Sequence, residues 1–417
     1  MNPYDELDLK LKKAEISEML QSVSKTIESN GNPDETKLLE ALLHPEKEPL
    51  IIKSGTCENC ADSKGACEAA CLFDAIKRDH HNNVVITGNC TGCGECVNVC
   101  PEHALSGRKD SLAVLHLLKD KKVPVYAMIA PAFSGQFSTD VSSGKLRSAF
   151  KYMGFYGMVE VALFADILTL KEALEFDREI QNDEDFLLTS CCCPLWIALI
   201  RKSYQTMIPH VPPSVSPMVA CGRSIKKIHP EAKTVFIGPC LAKKAEAREP
   251  DIADAVDYVL TFEEIAELFE LMAIHPEKFE EDQSDHSSRA GRIYARASGV
   301  SEAVQATLDR LSPDRKIPLK AQQADGVVDC KKLLKEIADG NVHANFIEGM
   351  GCRGGCVGGP KSLIGKDAAR EAVNHYGDET DIKTPADNPY VLELLHTLGY
   401  ETVESLLDRD NNFTRIL

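Results

Sequence analysis

Two features that would place this chain in a membrane or outside the cell are missing from its sequence. No apolar run reaches about 18 residues, so a transmembrane helix is not expected. The polar N-terminus, MNPYDELDLKLKK, has neither the hydrophobic region of a secretory signal nor a twin-arginine motif. We therefore expect a cytoplasmic protein.

Positive charge is also scarce. The 417 residues include 47 Lys and Arg against 64 Asp and Glu, which gives a formal net charge of −17. Nucleic acids and anionic membranes attract proteins through basic surfaces, so neither is expected as a partner. The hydrophobic share of 43% suits a globular protein with a sizeable core, and the length allows two or three domains.

Cysteine, in contrast, is abundant, with 16 residues. In an exported protein such a number would suggest disulfides. Nothing marks this chain for export, however, and most of the cysteines stand in tight groups at the spacing of metal ligands. Metal binding is therefore the favoured interpretation, and a disulfide scaffold is the less favoured one.

Changes in composition divide the chain into three parts. Residues 1–50 have apolar side chains at helical spacing, interrupted at 30–33 by Asn-Gly-Asn-Pro, and predict a helical segment that packs or docks against the rest. Residues 51–108 are dense in cysteine and short of large apolar residues, so bound metal would have to stabilise them. Residues 109–417 alternate strand-like and helical runs.

The third part predicts an α/β domain with a largely parallel sheet. The strand candidates are 123–131, 157–166, 185–190, 232–239, 257–262 and 343–348. Thr261 and Glu264 form a candidate capping box for the helix that follows. Ligands of such folds gather beyond the carboxyl ends of the strands, and three of these candidates are followed by loops that contain cysteine.

The second part contains two cysteine runs. Residues 90–101 read CTGCGECVNVCP, the spacing of bacterial two-cluster ferredoxins, and residues 57–71 hold a looser version. In crossed ligation, the fourth cysteine of each run binds the cluster of the other run. This predicts two 4Fe–4S clusters in a small α+β ferredoxin-like domain. The two ligand sets are Cys57, Cys60, Cys67 and Cys100, and Cys90, Cys93, Cys96 and Cys71.

Two zinc sites are the less favoured alternative for these eight cysteines. His80 and His81 lie between the two runs. Because the cysteine set is already complete, we interpret both histidines as surface residues.

Three further loops carry chemistry in the third part. They read TSCCCPLW at 189–196, GPCLAKKAE at 238–246 and EGMGCRGGCVGGP at 348–360. Together with the ferredoxin-like runs, they resemble the loops that bind the H-cluster of iron-only (FeFe) hydrogenases, a resemblance that covers about residues 51–365. It implies two lobes with parallel-sheet cores around an H-cluster. In that cofactor a cysteine joins a 4Fe–4S cluster to a di-iron unit with CO, cyanide and a bridging dithiolate.

Carried over by position, the resemblance implies a role for each residue of these loops. The ligands of the 4Fe–4S part are Cys193, Cys240, Cys352 and Cys356, and the last of them also bridges to the di-iron unit. Lys243 matches the lysine that holds a cyanide ligand, and Cys192 matches the cysteine that passes a proton to the di-iron unit. Further cofactor contacts are implied for Ala130, Pro131, Ser190, Tyr294 and Met350.

The resemblance also implies a proton relay. The two relay glutamates of the family match Glu172 and Glu175, whose spacing places both on one helix face. Arg178 extends that face, and we place Glu246 near its outer end. A solvated helix face is the alternative interpretation for these glutamates.

The chain departs from the common family pattern in ways that suggest a divergent subgroup with a TSCCCP first loop. The additional cysteine, Cys191, is either a thiol that binds or protects an oxidised cluster or an inert buried residue. Ala132 replaces a usual serine and Met218 a usual glutamine. At the position of the relay serine stands Pro212, with Ser214 close by.

Two more features complete this comparison of patterns. Gly238 stands where methionine is common, and the third loop is shortened after Cys356. Cys221 and Cys330 match no motif, and we interpret both as structural.

The function implied by the resemblance is the reversible conversion of protons and electrons into dihydrogen. The two clusters would exchange electrons with ferredoxin or a similar carrier, and maturation proteins would supply the di-iron unit. A hydrogen sensor and a non-catalytic iron–sulfur assembly factor are the alternatives. Sensory relatives usually lose the relay cysteine and assembly factors lack the di-iron unit, so Cys192 and Lys243 favour the enzyme.

Overall fold

The computed structural model describes residues 3–21, 38, 40–55, 57, 65–80, 84–284, 286–408 and 411–416. Two small antiparallel strand pairs lie in the first third of the chain, and two parallel sheets flanked by helices form the remainder. Within the described residues, no helix combines the length and the apolar character needed to cross a bilayer.

The first third begins with a helix that packs on the third part of the chain. The elements are α1 (Pro3–Gln21), β1 (Ile51–Lys53), α2 (Ala66–Ala69), β2 (Ile76–Arg78), β3 (Val84–Ile86), α3 (Glu95–Asn98) and β4 (Leu105–Gly107). Strand β1 pairs with β4 and β2 pairs with β3, both antiparallel. The two pairs bring the cysteine runs side by side, because each run is connected to strands of both pairs.

The N-terminal helix is held to the rest of the chain by a buried ion pair. Lys12 has no exposed surface, and its Nζ lies 2.6 Å from Asp8 Oδ2 and 2.7 Å from Glu267 Oε2. Tyr4, Leu7 and Leu11 of the same face join one apolar cluster. The prediction of a packed helical segment therefore holds for α1, whereas residues 22–37 of the predicted segment lie outside the described residues.

A four-stranded parallel sheet forms the core of the first lobe, in the order β6–β5–β8–β9. Between residues 111 and 271 the elements in chain order are α4 (Ser111–Asp120), β5 (Val125–Ile129), α5 (Ser143–Met153), β6 (Gly157–Glu160), α6 (Val161–Glu179), β7 (Leu187–Leu188), α7 (Pro194–Ser203), α8 (Pro217–Ile228), β8 (Lys233–Gly238), α9 (Lys243–Glu246), β9 (Tyr258–Thr261) and α10 (Phe262–Leu271). Strand β7 belongs to the second sheet.

The second sheet has three parallel strands in the order β10–β11–β7. The remaining elements are α11 (Arg289–Arg292), α12 (Gly299–Leu311), β10 (Ala321–Asp325), α13 (Val327–Ala338), β11 (Phe346–Met350), α14 (Lys366–Asp378) and α15 (Pro389–Thr397). The expectation of two parallel-sheet cores is confirmed.

One strand prediction was wrong over most of its length. The apolar run 157–166 forms a strand only to Glu160, and α6 begins at Val161. Helix α6 is buried on nearly all sides, against α8, α11 and α12. A helix with little exposed surface has no polar face, so its sequence reads as a continuous apolar run and resembles a buried strand.

Strand β10 was not predicted. Its sequence, AQQAD, is polar, and its residues are exposed or half-buried. The strand lies at the edge of its sheet and pairs only with β11. An edge strand needs fewer apolar side chains, so it carries little hydrophobic signal.

The predicted capping box is present at the start of α10. The Thr261 side chain accepts a hydrogen bond from the Glu264 backbone N–H at 3.2 Å, and the Glu264 side chain accepts one from the Thr261 N–H at 2.8 Å. Lys244 Nζ lies 2.9 Å from the same carboxylate, which ties the loop after β8 to this helix.

We predict that Thr261→Ala lowers the free energy of unfolding by about 1 kcal/mol, because the substitution removes the N-cap acceptor. The measurement is the thermal denaturation midpoint of the purified protein. Thr397→Ala is the control, since the Thr397 hydroxyl donates only to the exposed Glu393 carbonyl within its own helix. Equal midpoints for Thr261→Ala and the unsubstituted protein would contradict the role of this cap.

Candidate metal centre

A buried, mainly apolar cavity lies beyond the carboxyl ends of β5 and β8. Ala130 and Pro131 directly follow β5, and Cys240 follows β8. The predicted cofactor-site residues that line the cavity are Ala130, Pro131, Cys192, Cys240, Lys243, Tyr294 and Cys356, together with the divergent positions Ala132 and Met218. The structure thus brings together residues from six separate segments, at the position where parallel sheets bind ligands.

The first cysteine loop is fixed by its own backbone and by a tryptophan. Ser190 has a positive φ of 69°, and Cys193 N–H donates to the Ser190 carbonyl at 3.0 Å. Trp196 Nε1 donates to the Thr189 carbonyl at 2.8 Å. The Ser190 Oγ is buried without a hydrogen-bond partner among the described residues. A buried orphan hydroxyl fits a position whose partner is a bound cofactor.

The third cysteine loop requires glycine at its centre. Gly355 has a φ of 84°, and a Cβ added there would lie 2.5 Å from the Ala297 backbone nitrogen. The Gly355 and Arg296 backbones form an isolated β-bridge at this point. This close approach, which only glycine permits, holds the segment between Cys352 and Cys356 against the chain that carries Tyr294.

The four cysteines assigned to the 4Fe–4S part come from both sheets. Cys193 follows β7, Cys240 follows β8, and Cys352 and Cys356 follow β11. Burial, with a further contribution from neighbouring thiols of this set, raises the pKa of Cys240 to about 11 and that of Cys356 to about 12. The Gly351 N–H donates to Cys193 Sγ at 3.2 Å. Converging buried thiols with a backbone donor fit an anionic iron–sulfur cluster, which takes the place of their protons.

The cysteines are not arranged around a single ion. Across the described ranges, no three or more His, Cys, Asp or Glu side chains are grouped so that they could hold one metal ion. In a cluster each thiolate binds a different iron atom, so its ligands stand further apart than those of a zinc site.

Lys243 provides a cation at the cavity wall. Although burial alone would lower its pKa, the carboxylate of Glu246 holds the pKa of Lys243 above its ordinary value, with Nζ 2.5 Å from Glu246 Oε2. An ammonium beside an apolar cavity fits a small anionic ligand. The pairing also corrects the expected position of Glu246, which lies at Lys243 and not at the outer end of the glutamate face.

Glu172 is buried behind the first cysteine loop. Its Oε2 accepts a hydrogen bond from Thr189 Oγ1 at 2.5 Å, and its Oε1 lies 3.7 Å from Cys191 Sγ. Burial raises the pKa of Glu172 to about 7. The direct neighbour of Glu172 is therefore the additional cysteine Cys191, whereas Cys192 lines the cavity.

Glu175 has a partner that the sequence analysis missed. Lys171, which is fully buried, forms an ion pair with Glu175 and donates to Ser214 Oγ at 2.6 Å. Burial raises the pKa of Glu175 despite this pairing. Arg178, the expected extension of the face, is 45% exposed and bonds to Glu179. The signal in the sequence was the i,i+4 spacing of Lys171 and Glu175 on one helix.

Three predicted or unassigned residues are not among those that line the cavity. Met350 ends β11, is buried, and its carbonyl accepts from Cys330 Sγ at 3.4 Å and from the Gly326 N–H at 2.8 Å. Cys221 is fully buried in the core of the first lobe. These contacts fit the structural roles expected for Cys221 and Cys330.

A second, smaller cavity lies in the ferredoxin-like part. Cys71 from the first run and Cys90, Cys93 and Cys96 from the second run line it together. This is one of the two crossed ligand sets expected from the spacing. The Ala75 N–H donates to Cys71 Sγ at 3.1 Å, a bond that would stabilise a thiolate bound to iron.

The other crossed set is described in part. Cys57, Cys67 and Cys100 belong to an apolar cluster that also includes Cys71, Cys90 and Cys96 of the set that lines the smaller cavity, and the Ala104 N–H donates to Cys100 Sγ at 3.3 Å. Cys60 and His81 lie outside the described residues, and His80 is exposed, as expected.

The two metal sites adjoin each other. Cys93 and Cys352 line opposite sides of one surface groove, and a Cβ at Gly94 would lie 3.2 Å from the Pro360 side chain. The second cysteine run therefore packs directly against the third cysteine loop.

We predict that Glu172 makes the protein less stable as pH rises. Its pKa is raised from 4.5 to about 7, so the stability present below pH 4.5 is lost as pH rises through about 7. Glu172→Gln cannot ionise at this position. The denaturation midpoint of the variant minus that of the unsubstituted protein should therefore increase as pH rises from 4.5 to about 7. Glu179→Gln, at an exposed position of the same helix, is the control. Parallel pH profiles for both variants would refute the prediction.

Comparisons with known proteins agree with this geometry. The family model for the C-terminal domain of the iron-only hydrogenase large subunit matches residues 123–360, more than half of the chain, and a 4Fe–4S binding domain matches residues 83–106. The NADP-reducing hydrogenase subunit HndD of Solidesulfovibrio fructosivorans is 27% identical over 369 residues, covering 73% of this chain and 62% of that protein. The chain thus spans about three fifths of that relative.

Two further matches, one in sequence and one in structure, are to proteins with different names. Cytosolic iron-sulfur assembly component 3 of Pongo abelii is 25% identical over 314 residues, covering 62% of this chain and 66% of that protein. The solved structure of the FeFe hydrogenase HydA1 from Chlamydomonas reinhardtii superimposes with a TM-score of 0.58 at 21% identity, covering 73% of this chain and 98% of that one. By the extent of the family match, the chain belongs to the iron-only hydrogenase large-subunit family.

Proposed function

We propose that this protein is an FeFe hydrogenase that converts protons and electrons into dihydrogen, reversibly, at an H-cluster in the buried cavity. The observation that carries the proposal is the cavity wall, where a relay-type cysteine, a buried cation and a bridging cysteine meet: Cys192, Lys243 and Cys356. Its relative HndD is named a hydrogenase subunit. Because the chain spans only part of that relative, the activity is a proposal for this chain.

The residues of the cavity would hold the H-cluster from three sides. Cys193, Cys240, Cys352 and Cys356 would hold its 4Fe–4S part, and Cys356 would also bind the di-iron unit. Lys243 would donate to a cyanide ligand, while Ala130 and Pro131 line the apolar side of the cavity. The bound cofactor supplies the two-electron chemistry of dihydrogen.

The protein's own part in the chemistry is to move protons through a dry interior. Burial and neighbouring thiols raise the pKa of Cys192 well above its ordinary value, so it is a neutral thiol that can donate. Glu172, with a pKa of about 7, can take up and release a proton near neutrality. Cys191 lies between Glu172 and Cys192 in sequence and in space, and thus bridges the gap between the two.

Electrons would enter through the two 4Fe–4S clusters. The segment 51–108 carries five basic and seven acidic side chains, so it is much less acidic than the whole chain. That balance is compatible with an acidic carrier such as ferredoxin. Cytoplasmic location and dependence on maturation proteins belong to the same proposal, as does membership of a divergent subgroup marked by the TSCCCP loop.

An iron–sulfur assembly factor is the second candidate, because a protein with that name is among the relatives. The cavity favours the hydrogenase. An assembly factor without a di-iron unit has no need for a buried ammonium and a relay thiol on an apolar cavity, yet Lys243 and Cys192 both face it. A hydrogen sensor would keep the cavity and lose the relay thiol.

We predict that the matured protein shows the infrared bands of CO and cyanide ligands and evolves dihydrogen from reduced viologen. Cys192→Ala should keep the bands and lower turnover by about a hundredfold or more, because the last proton donor is removed. Cys221→Ala, buried away from the cavity, should behave like the unsubstituted protein. Absence of the bands after maturation rules out both hydrogenase and sensor, and full turnover in Cys192→Ala refutes its relay role.

We also predict that Cys93→Ser loses one 4Fe–4S cluster, because Cys93 lines the cavity of a single crossed ligand set. Iron analysis and electron paramagnetic resonance of the reduced protein measure the loss. The infrared bands should persist, since the cofactor cavity is a separate site. Unchanged iron content would contradict the ligand assignment.

A further inference from the structure

Lys171 is a buried cation that the relay described above does not use. It lies in α6, directly before Glu172, and has no exposed surface. It forms an ion pair with Glu175, and its Nζ donates to Ser214 Oγ at 2.6 Å. Lysine is almost never fully buried unless its charge is compensated, and Glu175 compensates the charge of Lys171.

Titratable and polar groups from three segments surround Lys171. Glu172 and Glu175 lie on its own helix, and Cys191 is the titratable group that approaches from the first cysteine loop. From the segment before α8, Ser214 contributes only a hydroxyl. Arg178 acts on Glu175 from the next turn of the helix. The pair therefore links Glu175 to a hydroxyl on another segment.

One oxygen of the Glu175 carboxylate is available to accept a proton. Its Oε2 is buried and has no hydrogen-bond partner in the part of the chain that the structure describes. Taking two charges out of water narrows the free-energy difference between an ion pair and a neutral pair. A proton can therefore pass from the ammonium to the carboxylate at lower cost here than at the surface.

The hydroxyl of Ser214 is held in place by the C-terminal segment. Ser214 forms a β-bridge with Thr414, Val215 N–H donates to the Phe413 carbonyl at 3.0 Å, and Arg415 N–H donates to the Pro213 carbonyl at 3.3 Å. The Arg415 side chain is fixed in turn by Glu249, 2.6 Å away. Residues 411–416 thus hold the backbone on both sides of Ser214.

We propose that Lys171 is a proton-transfer residue, and that protons reach the cavity from Ser214 through Lys171 and Glu175. This rests on the proposed hydrogenase function. In each transfer an N–H bond of Lys171 breaks and an O–H bond forms on Glu175. The electron pair left on Nζ takes up the proton of the Ser214 hydroxyl, and the Ser214 oxygen takes one from water. The outer end of the route is then Ser214, which is buried, so the water that supplies its proton must enter beside residues 411–416.

Two substitutions separate proton transfer from a merely electrostatic role. Lys171→Met removes both charge and proton, whereas Lys171→Arg keeps the charge but cannot give up a proton. We expect both to lower hydrogen evolution by about tenfold or more while the CO and cyanide bands persist. Lys227→Met is the matched control, since Lys227 bonds only to the Leu398 carbonyl far from the cavity. If Lys171→Arg evolved hydrogen as fast as the unsubstituted protein, the proposal would be overturned.

A second measurement does not depend on turnover. In Lys171→Met the Glu175 carboxylate loses its counter-charge and should take up a proton at neutral pH, which adds the carbonyl stretch of a protonated carboxyl group to the infrared spectrum. Lys171→Arg should lack that band, as should Lys171→Met combined with Glu175→Gln. Absence of the band in Lys171→Met would show that Glu175 is not coupled to Lys171 and would refute the proposal.

Ser214→Ala tests the outer end and covers the case in which a Lys171 variant does not fold. It should slow turnover as Lys171→Met does and keep both the CO and the cyanide bands; unchanged turnover would contradict the route. The two levels of inference fail in different ways. An unsubstituted protein without these bands or without turnover defeats the proposed function, whereas an active protein whose Lys171 and Ser214 variants are equally active defeats only the route.

Discussion

The interaction on which the rest of this structure depends is the compensation of buried charge around one apolar cavity. Lys243 is paired with Glu246 at the cavity wall, and Lys171 is paired with Glu175 behind it. An unpaired charge at either place would cost several kcal/mol. The two pairs therefore allow a cation and a proton-accepting group to lie in a site from which water is excluded. The α/β framework places them, because both pairs lie on helices that follow strands of the first sheet.

The neighbouring residues Cys191 and Cys192 contact different groups. Cys192 lines the cavity, while Cys191 points the other way, with Sγ 3.3 Å from the Val215 carbonyl and 3.7 Å from Glu172 Oε1. Adjacent residues of a loop that precedes a helix face opposite sides, so one additional thiol fills the space between the cavity and the buried glutamate. The sequence left two roles open for Cys191, a protective thiol or an inert one. Its contact with Glu172 adds a third role, a hydrogen-bond donor to that glutamate.

Sequence alone predicted the parts of the site whose pattern is local. The crossed cysteines Cys71 and Cys93, the capping box at Thr261 and the strands before each cysteine loop depend on short spacings, and the structure agrees with them. Helix α6 was missed as a helix over 161–166 because burial on nearly all sides removes the polar face that marks a helix. Lys171 was missed because a lysine in a sequence is normally a solvated residue, and only tertiary packing shows its burial.

The ligand set of the proposed H-cluster couples metal binding to the assembly of the two sheets. Cys240 belongs to the first sheet, whereas Cys193, Cys352 and Cys356 belong to the second. A cluster held by all four would cross-link the sheets at their carboxyl ends, so its binding free energy contributes to the stability of the fold. Burial and neighbouring thiols raise the pKa of Cys240, Cys352 and Cys356, to about 12 for Cys356, so these three carry protons before iron binds. Cluster insertion must release those protons, and insertion should therefore become more favourable as pH rises.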